Sequence, residues 1–276
     1  MIRKLLIAFL IVIAALGGLF LYARSEALRD PVVRTATIRL PRWPAGIKPV
    51  RAVLISDIHV GGPGMDAARL DRIVDQINAL RPDIVLIAGD MIFGDNPQGA
   101  RTLGPALVAP LSRLTAALGV VAVLGNHDQW TGAGDVRSLL AQARITVLDN
   151  DVTARGPLAI GGVGDDFSGH ADLAATLVKL RPFAGARIIL THSPDIAPAL
   201  PGDIRLLLAG HTHCGQVVLP LWGPVSDVSH YGKRYRCGVR LENGRAVIVT
   251  GGLGTSGPAA LRLGAPPDLW LLTLGG

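Results

Sequence analysis

Along the chain, short apolar runs alternate with stretches in which apolar side chains recur every three or four residues. Ala52 to Ser56, Ile84 to Ala88 and Val120 to Leu124 are brief runs of the kind that form buried strands. Between the first two, Leu70, Ile73, Val74, Ile77 and Leu80 fall at helical spacing, and Arg81-Pro82 closes that helix. A proline-interrupted helical stretch covers Arg101 to Leu118. Further on, the pattern predicts a helix over Val136 to Ala143 and strands over Thr146 to Leu148 and Leu158 to Val163. A helix over Ala171 to Leu180 follows, then strands over Arg187 to Leu190 and Ile204 to Ala209. Only strand-like pieces come after these, around Val217 to Leu219, Val239 to Leu241, Ala246 to Thr250 and Leu269 to Thr273. Alternating strands and helices followed by strand-rich sequence predict an α/β sandwich with mixed sheets. No stretch beyond Arg51 reads as a linker, so residues 51–276 are expected to form one domain.

The first residues follow another rule. Arg3 and Lys4 precede a run from Leu5 to Ala23 without a charged residue. Nineteen residues of helix rise roughly 28 Å, about the thickness of a bilayer's hydrocarbon core. Residues 1–26 therefore read as a single-pass membrane anchor, with a cleaved signal peptide as the alternative. Residues 27–50 are basic and hold Pro31, Pro41, Pro44 and Pro49; they read as a connector with one edge strand, Val32 to Leu40. Arg24, Arg29, Arg34, Arg39 and Arg42 outnumber Arg3 and Lys4, which leans the larger domain slightly towards the cytoplasm.

Composition narrows the classes. Apolar residues make up 49% and charged residues 17%, far from a disordered chain. A formal charge of +6 suits an anionic partner such as phosphate or a lipid headgroup surface. Basic residues are dispersed and aromatics are only 4%, so a nucleic-acid stacking platform is not expected. The two cysteines, Cys214 and Cys237, read as independent free thiols, since nothing in the sequence places them within bridging distance.

The chemistry lies where the strands stop. Five apolar runs lead directly into Asp57-Ile58-His59, Gly89-Asp90, Gly125-Asn126-His127-Asp128, Thr191-His192 and Gly210-His211-Thr212-His213. Five of the seven histidines sit in these motifs. A lone histidine after a strand is ordinarily a packed or surface residue, and a lone Asp a turn residue. Five such placements at strand ends point instead to one rim, since ligands in open α/β sheets gather beyond the carboxyl ends of the strands. Imidazole together with carboxylate suits first-row divalent metals, whereas calcium and magnesium favour oxygen alone. Asp57 and His59 share one face of a locally extended segment, and His211 and His213 have the same spacing. Seven candidate ligands exceed what one ion needs and fit two.

In that order, these motifs resemble the calcineurin-like metallophosphoesterase superfamily. Leu190-Thr191-His192-Ser193-Pro194-Asp195, Gly210 to Gln216, and the tail Gly252 to Gly257 with Pro266-Pro267 are similar to its membrane-anchored bacterial branch. The resemblance implies a four-layer α/β/β/α sandwich with two mixed sheets behind the N-terminal helix. It implies that Asp57, His59 and His213 hold one metal, that Asn126, His192 and His211 hold the other, and that Asp90 bridges them. Manganese, iron and zinc all accept this ligand mix, with manganese favoured. Two metals about 3.5–4 Å apart can grip both oxygens of a phosphoryl displacement and bring a water's pKa from 15.7 towards about 7. His127 resembles the family histidine that faces the leaving group, with Asp128 orienting its ring.

The expected function is a phosphodiesterase or pyrophosphatase at the bacterial inner membrane, acting on a phosphate ester that the anchor suggests is lipid-linked. One lipid-A pathway member of the superfamily hydrolyses UDP-diacylglucosamine. A broad phosphomonoesterase or nucleotidase, and a non-catalytic metal-binding scaffold, are the alternatives. Other residues are weaker candidates. Asp165 and Asp166 read first as a solvated turn, His170 and His230 as surface residues, Cys214 as a spectator thiol, and Arg262 as a possible contact for an anionic substrate.

Overall fold

The computed structural model describes residues 1–276. The chain begins with α1 (Ile2–Leu28), β1 (Val32–Arg39), β2 (Val50–Ile55), α2 (Ala67–Ala79), β3 (Ile84–Ala88), α3 (Gly99–Leu103), α4 (Pro105–Leu111), β4 (Val120–Val123), α5 (Asn126–Gln142) and β5 (Thr146–Val147). It continues with β6 (Asp151–Arg155), β7 (Leu158–Gly162), α6 (Leu173–Leu180), β8 (Ala186–Leu190), β9 (Leu206–Ala209), the short pair β10 (Val218–Leu219) and β11 (Gly223–Pro224), β12 (Gly238–Glu242), β13 (Arg245–Val249) and β14 (Asp268–Gly275).

Two six-stranded mixed sheets form, ordered β1-β14-β2-β3-β4-β5 and β12-β13-β9-β8-β7-β6. Side chains alternate along each strand, so every central strand feeds two apolar layers. Leu54, Leu86, Ala88, Val121 and Val123 of the first sheet meet Ile160, Ile188, Leu190, Leu208 and Ile248 of the second in a layer between the sheets. The opposite side chains of the first sheet, Val53, Ile55, Val85 and Ile87, pack under Leu70, Ile73, Val74 and Ile77 of α2 together with α4 and α5. Ile189, Leu207, Val247 and Val249 pack under α6 and a 3-10 turn at Pro194–Ala199. Helix, sheet, sheet and helix layers follow in that order, as the motifs imply. Both faces of β3 are covered, which is why all five of its residues are apolar and buried.

Three expectations change. The helical stretch from Arg101 ends at Leu111, split by Gly104-Pro105 into two short helices. Helix α5 starts ten residues before Val136, because Gly125 caps it and Asn126 to Asp128 form its first turn; Gly132 (φ 117°) kinks it midway. Cys214 and Cys237 form a disulfide, with Cα atoms 4.7 Å apart, instead of two free thiols. The Thr212 hydroxyl donates to the Arg236 carbonyl (2.6 Å) beside it, folding the 229–237 segment back over a loop 23 residues earlier.

The N-terminal segment sets the orientation of the site. β14 is antiparallel to β2, with Trp270 opposite Leu54, and β1 is parallel to β14, with Val32 opposite Asp268. The start of β1 therefore lies at the end of the sheet where β2, β3 and β4 finish. α1, long and apolar enough to cross a membrane, leaves the domain at that same end. Its Ala23 carbonyl accepts from the Arg262 N–H (2.9 Å), and its Ala27 carbonyl accepts from the buried Arg69 guanidinium (2.9 Å). Arg69 also donates to Gly64 and Leu253. The edge strand expected at Val32 to Leu40 is thus β1, at the edge of the first sheet.

If the layer between the sheets carries the core, Leu86→Ala should cost about 2–5 kcal/mol through lost burial and a residual cavity. Its urea midpoint in detergent should fall clearly below that of wild type, and an unchanged midpoint would show that this layer does not hold the fold.

Candidate metal centre

Three of the five strand ends deliver their polar residues through left-handed kinks. Asp57, His59, Asp90, His211 and His213 all have left-handed backbones, with φ between 48° and 71°. A non-glycine residue at positive φ is uncommon and costs roughly 1–3 kcal/mol, so five in one place is strain collected at a site. This corrects the extended-segment reading of Asp57 and His59: left-handed kinks at both residues turn their side chains to the cluster, while the chain runs on beside the Gly89–Met91 segment. Neighbouring glycines let the turns close up. A Cβ on Gly125 would meet the Asp90 amide nitrogen at 2.7 Å, and one on Gly210 would meet Asp57 Oδ2 at 2.6 Å.

All seven expected ligands meet there, each at most 7% exposed. In one group, His59 Nε2 and His213 Nε2 lie 3.2 Å apart, and Asp57 Oδ1 lies 3.4 Å from His213 Nε2 and 3.9 Å from His59 Nε2. In the other, His192 Nε2 lies 3.1 Å from Asn126 Oδ1 and 3.2 Å from His211 Nδ1. Asp90 Oδ2 stands between the groups, 3.7 Å from His59 Nε2 and 3.2 Å from His192 Nε2.

The chemistry of this donor set fits divalent cations. His192 donates through Nδ1 to the Ala88 carbonyl (2.7 Å), which leaves its Nε2 lone pair facing Asn126 Oδ1, another acceptor. Two lone pairs at 3.1 Å repel unless a proton or a cation lies between them. Ligand bonds of about 2.0–2.1 Å in tetrahedral geometry place donor atoms roughly 3.3 Å apart, close to the spacings seen here. Asp57 Oδ1, His59 Nδ1 and His211 Nε2 are buried with no hydrogen-bond partner. Orphaned buried polar atoms are costly, and a bound cation relieves Asp57 Oδ1, the one of the three that faces the cluster.

Electrostatics agree. Burial pushes the Asp57 carboxyl up to about 6 and lowers the His59 imidazole to about 4. Burial also lowers His211 to about 3 and His213 well below the usual histidine range. These imidazoles are thus neutral and ready to ligate at physiological pH. Burial would raise Asp90 and lower His192, but their mutual attraction wins: Asp90 is held below the usual carboxylate range and His192 is raised. Without a metal, a proton on His192 neutralises the buried Asp90 charge.

Two assigned roles change. Asp128 does not touch the His127 ring. Its carboxylate accepts the N–H groups of Asp90 (2.9 Å), Met91 (2.8 Å), Ile92 (3.2 Å) and Gly125 (3.0 Å), clamping the exits of β3 and β4 together. Burial, with Asp90 nearby, pushes that carboxyl up to about 7. The His127 ring is held instead by the Gly94 carbonyl, to which Nδ1 donates (2.6 Å), and it packs edge-on against His59 and Trp130. Arg262 faces no substrate. Its guanidinium is fully buried and donates to the carbonyls of Gly251, Gly254 and Ala265, bracing the loop behind His213. Asp166, His170 and His230 lie at the surface, but Asp165 is buried, with Oδ2 accepting from the Ser168 N–H. Cys214 is oxidised and offers no thiolate.

A pocket of about 340 Å³ opens on the cluster. Asp90, Asn126, His127, His211 and His213 form its floor, with Trp130 and Phe167 on one wall and Val217, Val225 and Val228 on another. The Phe167 ring packs 4.5 Å from His211 and 6.3 Å from Trp130. Neither aromatic carried a sequence signal, because each is an isolated residue in a turn or a kinked helix.

This strand-end cluster within a four-layer sandwich accords with a sequence match. The calcineurin-like phosphoesterase family matches residues 50–215, and the chain belongs to that family. A Bacillus subtilis metallophosphoesterase of uncharacterised function is 31% identical over 94% of this chain and 90% of its own. A Caenorhabditis elegans protein named as a metallophosphoesterase is 32% identical over 73% of this chain. A Bos taurus protein named transmembrane protein with metallophosphoesterase domain is 33% identical over 70%. The chain spans 44% and 46% of the length of the last two.

Removing metal should expose the buried charges. Chelation is expected to lower the melting temperature and added manganese to restore it. Asp57 keeps its proton up to about 6 in the metal-free protein, so bound metal must displace that proton. The metal-induced rise should therefore shrink as the pH falls from about 8 to about 5. A rise independent of pH would exclude Asp57 as a ligand.

Proposed function

We propose that this chain is a membrane-anchored phosphodiesterase or pyrophosphatase that works with two divalent ions. In this reading Asp57, His59 and His213 hold one ion, Asn126, His192 and His211 hold the other, and Asp90 is shared. The observation that carries it is the convergence of buried, mutually facing donor atoms from five strand ends into two groups flanking Asp90 Oδ2. When bound, such ions polarise a phosphoryl oxygen and acidify water.

The chain's own residues do the rest. Asp128 fixes the Asp90 backbone, so the shared carboxylate keeps its aim. His127 is anchored through Nδ1 on Gly94, and a proton carried on its Nε2 is placed for the leaving group. Trp130, Phe167 and the valines bound the ester's organic part and exclude water from the floor. Manganese is the ion we favour, and a lipid-linked ester the substrate. The anchor supports the latter, and the Bos taurus relative's name supports the anchor.

We read α1 as retained and not cleaved. Loss of residues up to Ala27 would strip the Ala23 acceptor from Arg262 N–H and one of the carbonyl acceptors from Arg69. Residues 32–276 then form the catalytic domain, since β1 belongs to its sheet. The Cys214–Cys237 bond favours the oxidising side of the membrane, against the weak lean of the arginine count.

The full chain with manganese should hydrolyse bis-p-nitrophenyl phosphate. His127→Ala should lower kcat about 10²–10⁴-fold while two ions per chain remain bound, and Asp90→Ala should lose both ions and turnover. Metal-independent turnover, or equal activity of His127→Ala and wild type, would sink the assignment. Monoester turnover without diester turnover would move the reading to a nucleotidase. Alkylation of intact cells should leave Cys214 and Cys237 unlabelled until reduction, and direct labelling would put the domain in the cytoplasm.

A further inference from the structure

The hairpin formed by β10 and β11 stands beside the pocket, with Leu221 and Trp222 at its tip. Leu221 is fully exposed and Trp222 is 88% exposed, so neither side chain helps hold the hairpin. Its grip comes from the base. Val218 N–H donates to the Leu263 carbonyl (2.7 Å), Leu263 N–H to the Gln216 carbonyl (2.9 Å), and Val225 N–H to the Val217 carbonyl (2.9 Å). One residue earlier, Arg262 N–H donates to Ala23 of α1. Hairpin base and helix end thus hang on consecutive residues.

α1 marks where lipid would stop. Its side chains are exposed up to Tyr22, and Ala23 is the first buried against the domain. From a base fixed near that level, an arm of about three residues reaches roughly 10 Å. Apolar side chains of surface-bound segments sink roughly 5–10 Å into the boundary between headgroups and acyl chains. Tryptophan, with an apolar body and one N–H, suits that zone. The apolar path does not end at the tip: Val225 is 68% exposed and also lines the pocket, next to Val217 and Val228.

We propose that the Leu221-Trp222 tip enters the bilayer that α1 crosses. There it holds the valine wall of the pocket against the lipid surface, so that a phosphoester headgroup passes from the leaflet to the cluster without leaving the interface. The proposal rests on α1 being a retained span.

The test uses the full chain in phosphatidylethanolamine–phosphatidylglycerol vesicles, with and without brominated acyl chains. Flotation with the vesicles reports on α1, and failure to float would defeat the span reading on its own. For chains that float, brominated lipid should quench the part of the tryptophan emission that disappears in Trp222→Phe. Equal quenching of wild type and Trp222→Phe would overturn the proposal while leaving the span intact. The double variant Leu221→Ser/Trp222→Ser should lower turnover of a vesicle-embedded phosphoester by about tenfold, the scale of losing one large buried apolar side chain. Its turnover of soluble bis-p-nitrophenyl phosphate should match wild type. An equal effect on both substrates would overturn the proposal, as would a tip-dependent dimer with Trp222 still in water.

Discussion

A carboxylate without solvent dominates this molecule. Asp90 follows a strand buried along its whole length, is 1% exposed, and lies within 3.7 Å of two histidine nitrogens from different parts of the chain. Such a charge is tolerable only with cations or protons beside it. The surroundings are organised to that end. Asp128 pins the Asp90 and Gly125 amides, Gly94 pins His127, and Ala88 fixes the His192 tautomer. The left-handed backbones at five of the seven ligands are strain that the packed sheets beneath can bear, because Ile87, Ala88, Leu208 and Ala209 anchor the turns from below.

The fold and the convergence of the seven donor residues were largely legible in the sequence because each rests on local signals. Central strands covered on both faces read as unbroken apolar runs, and the ligands follow those runs directly. Roles that depend on long-range placement were not legible. Asp128 sits one residue from His127, yet its partners are amides 36 to 38 residues earlier and Gly125 three residues back. Arg262 looked like an anion contact because the resembled branch often has a basic residue near this point, and only the fold shows four carbonyls surrounding it. The start of α5 was hidden because Asn126 and Asp128 are poor helix formers whose capping and ligand chemistry masked the helical period. The disulfide had no signal at all, since a separation of 23 residues says nothing about proximity.

Family membership and geometry support each other at different depths. The family match ends at residue 215, whereas the hairpin, the partner cysteine and the loop braced by Arg262 lie beyond it. The shared part carries the donor atoms. The later part decides what stands around them, tying the loop that bears His211 and His213 to a surface segment and bringing valines to the pocket. The pocket wall is therefore divided, with Trp130 and Phe167 inside the matched residues and Val217, Val225 and Val228 beyond them.

The pairing of β1 with β14 has a consequence for handling the protein. β14 runs for eight residues, six of them buried, and β1 covers its outer side along its whole length. A fragment begun at residue 50, where the family match starts, would bare that edge as a long apolar template of unpaired amides and carbonyls. Such edges join to one another and draw chains into aggregates. Keeping residues 30–50 is therefore a condition of solubility for any form of this protein that lacks its N-terminal helix.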